Sequence, residues 1–256
     1  MAADREFPQW CGPSLIRCAE WRVAWVSADQ REDPMMKGLA TLRTWAGAVG
    51  LGVVGTVGFA GTADWTRIGE KDGITSYLRP VEGERVEATR GVTTVNVPLC
   101  ELISFYVDPS LATTWVDMLT EYEVIELNAR QSIVWQRFDM PWPVADREFL
   151  LQVNVTRPDE RTVKVSLVST TDPRFPPPTD GDGLVRGVMS PSSWTFTRLS
   201  ESRTKVDMVG HADPSGAFPA WLINIIQQTF PYNTLSAFAR EAENGKVPLR
   251  SECADW

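Results

Sequence analysis

One histidine and four cysteines are a poor supply of metal ligands for 256 residues. Cys11, Cys18, Cys100 and Cys253 never fall into a C-x-x-C spacing, so neither a structural zinc site nor a disulfide framework is expected. Four free thiols in a reducing, cytoplasmic setting are the expectation. Basic charge is short as well. Lys and Arg number 25 against 33 Asp and Glu, a formal net charge of −8. That balance argues against a nucleic-acid partner, whose phosphates want a basic footprint. No G-x-S-x-G turn occurs, and His211 is the only imidazole that could act as a base. Asp207 and Asp213 are near it in sequence and would share its face of a regular strand. A histidine satisfied by a neighbour is the simpler reading, so no catalytic residue, metal or cofactor is assigned.

What is present reads as an ordinary globular chain, 43% apolar and 23% charged. Its oddity is eleven tryptophans, which imply bulky walls somewhere. Residues 1–43 mix acids and bases too evenly for a transit peptide. Residues 44–63 carry no charge and are long enough to cross a bilayer, yet they include six glycines. Gly52, Gly55, Gly58 and Gly61 recur every third residue and would line one side of a helix with small surfaces. A membrane anchor, a membrane-embedded hairpin and a loosely packed helix of a globular protein all fit this segment. Gly50, Gly52 and Gly55 also spell G-x-G-x-x-G, but a dinucleotide site needs a strand before them and a good helix after. Trp45–Ala48 is no strand, and Gly58 and Gly61 would break the helix.

From Trp65 onward the pattern predicts strands at 74–78 and 86–97, then two short helices, one opened by Pro98 and one ending near Trp115. Further strands are predicted at 122–127, 132–138, 148–156, 162–169, 194–199 and 204–211, with a proline-rich loop over 172–183. In the third of these runs Phe149, Leu151, Val153 and Val155 share a face. A final helix opens at Pro219 and continues to Ala242, with a kink at Pro231. Its apolar face is read as Trp221, Leu222, Ile225, Ile226, Thr229 and Phe230, continuing through Leu235 and Phe238. The organisation expected is an extension over 1–63, a domain over 64–245 and a tail over 246–256.

Several dispersed motifs occur in one order. They are Trp65 with Asp72-Gly73, then Trp115, Ile133-Val134-Trp135, Pro141-Trp142-Pro143, Asp146-Arg147-Glu148-Phe149 and Val185-Arg186. Asp213-Pro214-Ser215-Gly216 and Pro219-x-Trp221-Leu222-Ile223-Asn224 complete the series. In this order they resemble the START domain, the steroidogenic-acute-regulatory-protein-related lipid transfer family, over about 70% of the chain. The resemblance implies an α+β helix-grip fold, with a curved antiparallel sheet of about nine strands wrapped around a long C-terminal helix. It further implies non-enzymatic binding and intermembrane transfer of one lipid in an internal tunnel; the uncharged 44–63 segment keeps open the alternative of a membrane-tethered lipid sensor or scaffold that binds a lipid without transferring it. Trp135 and Phe149 match two positions of the family's aromatic choline cage, which would act by cation–π contact. The family's phosphate-binding arginine is replaced by Ala112, and Met189 stands where a glutamine is expected. A sterol or other neutral lipid therefore gains over a phospholipid. Trp135, Phe149, Met189, Met208, Leu222, Ile226 and Phe230 are the candidate lipid-contacting residues, with the C-terminal helix as lid. Arg147 and Arg186 are expected to be structural, at least one of them buried and paired with Asp146, Glu148 or another carboxylate.

Overall fold

The computed structural model describes residues 64–127, 131–179 and 183–245. The uncharged segment 44–63 with its G-x-G-x-x-G pattern, residues 1–43 and the tail lie outside the described residues. The described chain opens with β1 (Thr66–Lys71), β2 (Ile74–Arg79) and β3 (Ala88–Val95), then α1 (Leu99–Tyr106) and α2 (Ala112–Trp115). Next come β4 (Leu119–Leu127), β5 (Gln131–Phe138), β6 (Asp146–Asp159), β7 (Thr162–Ser169), β8 (Leu184–Arg186) and β9 (Val188–Met189). The last elements are β10 (Ser192–Ser200), β11 (Arg203–Gly210), β12 (Ala212–Asp213) and α3 (Ala220–Asn244).

Nine strands run in the order β1-β2-β3-β11-β10-β7-β6-β5-β4, and every pairing along that path is antiparallel. β8 joins β6 in parallel, while β9 and β12 form a separate two-stranded ribbon. The first hairpin is local chemistry. Asp72 and Gly73 adopt φ of 51° and 76°, the left-handed pair that a two-residue turn requires. The sheet grips α3, and this is the helix-grip fold. The core under the helix joins Leu151, Val153, Val163, Val165, Phe196 and Val206 of the sheet to Leu235, Phe238 and Ala242 of α3.

α3 runs unbroken through Pro231. That proline is buried and seats the helix on β3, where a Cβ added at Gly91 would meet Leu235 Cδ1 at 2.5 Å and Pro231 Cβ at 3.3 Å. The buried stripe is Leu222, Ile223, Gln227, Pro231, Thr234, Leu235, Phe238 and Ala242. It is rotated from the predicted one: Trp221 and Ile225 are 58% and 50% exposed. Two polar residues cause the difference. Gln227 Nε2 donates to the Glu87 carbonyl (2.8 Å) and Thr234 Oγ1 accepts from Asp117 N–H (3.2 Å), so both belong inside despite their polarity.

β1, β8, β9 and β12 escape prediction because they are short or show no apolar alternation; all six residues of β1 are exposed. Cys100 is disulfide-bonded, which corrects the expectation of four free thiols. No described helix is long and apolar enough to cross a membrane.

Candidate functional site

A cavity of about 160 Å³ lies under the N-terminal half of α3. The helix contributes Ile223, Ile226, Gln227 and Phe230 to its wall, and β5 and β6 contribute Phe138, Arg147 and Phe149. Met118, Met140, Met189 and the segment from Gly210 to Pro214 close the remaining sides.

Four of the residues singled out in the sequence meet here: Phe149, Met189, Ile226 and Phe230. Three do not. Met208 is 3% exposed and belongs to the main core. Leu222 packs with Val86, Phe218 and Ile223 in a small cluster at the start of α3. Trp135 is on the wrong side of the sheet. Directly paired residues share a face, and Phe149 pairs with Gln136 while Trp135 pairs with Leu150. Phe149 therefore faces the cavity with Phe138, and Trp135 faces outward. The two rings cannot form one aromatic cage.

The outward face carries a polar network instead. Trp135 Nε1 donates to Glu148 Oε2 at 2.6 Å, and Arg186 Nε donates to Glu148 Oε1. Arg186 Nη2 also reaches the carbonyls of Phe175 and Pro176, which ties the proline-rich loop to β6. On the same face Arg137 pairs with Asp146 (2.6 Å). Arg186, itself 17% exposed, is thus paired with the buried carboxylate of Glu148.

Arg147 differs. At 2% exposure it has no carboxylate on its guanidinium; every N–H direction goes to a backbone carbonyl. Nε donates to Pro214 (2.6 Å), Nη1 to Ala145 and Asp146, and Nη2 to Ser215 (3.3 Å) and Ala217 (3.5 Å). The guanidinium also lies 4.8 Å from the centre of the Phe218 ring. Burial, with the nearby Arg85 cation, pushes its pKa below the ordinary value. This side chain clamps the loop leading into α3. The same loop is held outside by Arg85, whose Nη2 donates to Asp213 Oδ1 (2.9 Å). Within it Ser215 and Gly216 are consecutive left-handed residues, with φ of 57° and 60°.

Two further polar wall groups are committed as well. His211 Nε2 is 3.0 Å from the Val86 carbonyl, and Thr89 Oγ1 donates to Gly210 O (3.2 Å). The two aspartates considered as partners for His211 are held by arginines, Asp207 by Arg90 and Asp213 by Arg85. At this end Trp142, in the β5–β6 connection between Met140 and Val144, is 92% exposed.

Sequence reasoning missed Phe138, Met118, Met140 and Ile223 as cavity residues. Phe138 was readable, since it shares strand parity with Val134. Met118 and Met140 sit on connections, where no periodicity marks a face.

The chain resembles known proteins over most of this fold. It is 24% identical to human phosphatidylcholine transfer protein over 184 residues, covering 71% of this chain and 85% of that protein. It is 26% identical to an uncharacterized protein of Pseudomonas aeruginosa over 208 residues, 81% of this chain and 99% of the other. Among solved structures, human StAR-related lipid transfer protein 5 superposes with a TM-score of 0.60 at 23% identity, covering 72% of this chain and 86% of that one. A STAR-related lipid transfer protein fragment from Xanthomonas axonopodis gives 0.61 at 21% identity, covering 70% and 99%. The START domain family model matches residues 60–232. A sheet gripping a C-terminal helix over an apolar cavity, together with that match, makes this chain a member of the START domain family.

Proposed function

We propose that the chain binds one weakly polar, uncharged lipid beneath α3 and carries it between membranes without chemical change. The observation that supports this reading best is the state of the polar groups in the cavity wall. Arg147 spends its donors on carbonyls, Gln227 Nε2 on Glu87 O and Thr89 Oγ1 on Gly210 O. A phosphate or carboxylate entering this space would find no free cation, and burying an unpaired charge is costly. Ala112, where related proteins that bind phosphatidylcholine carry an arginine, is buried in the core beside Trp115. A sterol or acylglycerol asks only for apolar wall and one or two weak polar contacts.

The lid is the N-terminal half of α3 with the loop from Asp213 to Phe218. The exposed Trp142 and Trp221 beside it suit the membrane–water interface, where indole rings settle, so lid opening and membrane contact occur at one end of the molecule. The test is capture from phosphatidylcholine vesicles carrying a fluorescent sterol or diacylglycerol in trace amount. Retention of the trace lipid at least tenfold over the bulk phospholipid is expected. Preferential retention of phosphatidylcholine would sink the neutral-ligand reading.

A further inference from the structure

The cavity, at about 160 Å³, is smaller than the roughly 300–1,000 Å³ usual for sites that enclose an organic ligand. Some part of its wall has to yield, and the question is which. The sheet strands are locked to one another by hydrogen bonds, and α3 is seated on Gly91 through Pro231 and Leu235. Phe149 has no retreat on one side: a Cβ at Gly187 would lie 2.4 Å from its ring.

Methionine makes up seven of the chain's 256 residues but three of the seventeen that line the cavity. Met118 is on the link from α2 to β4, Met140 on the connection from β5 to β6, and Met189 in the two-residue strand β9. Each has its main chain pinned. Met118 O accepts from Asp139 N–H (3.0 Å), Met140 N–H donates to Asp146 Oδ1 (3.1 Å), and Met189 N–H donates to Ser169 Oγ (2.8 Å). Met118 is further held at φ 60°, a left-handed conformation that a side-chain-bearing residue adopts only where its surroundings impose it. Fixed backbones thus carry unbranched, polarizable side chains with three rotatable bonds, the type that refits to differently shaped partners.

We infer that Met118, Met140 and Met189 are the part of the wall that adjusts to lipid shape and set the breadth of lipids accepted, while Phe138 and Phe149 on the sheet form its fixed part. The inference rests on the lipid-binding reading above. It implies a carrier tolerant of ring and chain shape among uncharged lipids, not one tailored to a single species.

The test uses the full chain and phosphatidylcholine vesicles carrying cholesterol, ergosterol or dioleoylglycerol, each assayed separately. Replacing the three methionines together (Met118→Leu, Met140→Leu, Met189→Leu) conserves volume and removes flexibility. The spread between the best and the worst captured lipid is expected to widen at least tenfold in that variant. A spread unchanged within twofold, with the wild type capturing all three lipids, overturns the inference and leaves lipid binding standing. Capture of none of them by the wild type removes the lipid-binding reading, and this inference with it. A second measurement covers a variant that fails to fold. In wild-type protein labelled at the methionine methyl carbons, cholesterol vesicles should shift the signals of Met118, Met140 and Met189 and leave the core residue Met208 in place. Shifts absent from those three, or equal at Met208, overturn the assignment.

Discussion

The two halves of α3 do different work. Its C-terminal half ends in a knot of rings: Phe238 lies 5.0 Å from Trp115, 5.3 Å from Phe105 and 5.5 Å from Trp194, with Tyr106 and Phe196 just beyond. Such pairs add to the area they bury, and even the buried Trp115 N–H, which has no hydrogen-bond partner, sits among them. The N-terminal half has a cavity beneath it, a four-residue satellite cluster beside it and a clamp made by one arginine. On the proposed lipid-carrier reading, the lightly held end is the part that opens while the fastened end stays in place.

That contrast can be broken in four ways. Phe238→Ala, which empties the centre of the ring knot, should cost about 3–5 kcal/mol, read as a large drop in the urea midpoint; a loss under about 1 kcal/mol would mean the C-terminal half is no anchor. Arg147→Ala leaves the carbonyls of Pro214, Ser215 and Ala217 without their donor. A loss of about 2–3 kcal/mol is expected, together with faster lipid exchange, and an unchanged melting temperature would refute the clamp.

A disulfide engineered between the first two turns of α3 and the Val86–Ala88 segment should barely alter stability in the reduced form. Once oxidised it should slow sterol exchange at least tenfold. A matching tether near Leu235 should leave exchange alone, and equal slowing by both would show that the whole helix moves. The smallest structural effect belongs to Trp142→Ala. A side chain this exposed should change stability by under about 0.5 kcal/mol, yet vesicle binding should weaken measurably. Unchanged binding would place the membrane contact elsewhere.

Most element positions were legible because their signals are local. β2 and β11 alternate as their burial shows, and Pro98 and Pro219 precede α1 and α3 as helix-start chemistry suggests. The site was legible only in part. Phe149, Ile226 and Phe230 declare themselves as apolar residues on buried faces, and Met189 came from the motif that precedes it. Trp135 was misassigned because neighbouring strand residues differ by a whole face, and a motif match does not report which strand partner a residue will meet. Arg147 and Arg186 look alike in sequence, one residue after an acid and one after a valine, yet one binds carbonyls and the other a carboxylate.

By itself the sequence determined the longer strands, the helices and the family, because periodicity, helix-start chemistry and ordered motifs need no knowledge of distant partners. Only the tertiary structure decided which face of α3 is buried, which side of β6 each charge takes and where the methionines converge. Those outcomes depend on register and on hydrogen bonds between residues far apart in sequence. Gln227 with Glu87 and Arg147 with Pro214 are such pairs, and no local pattern encodes them.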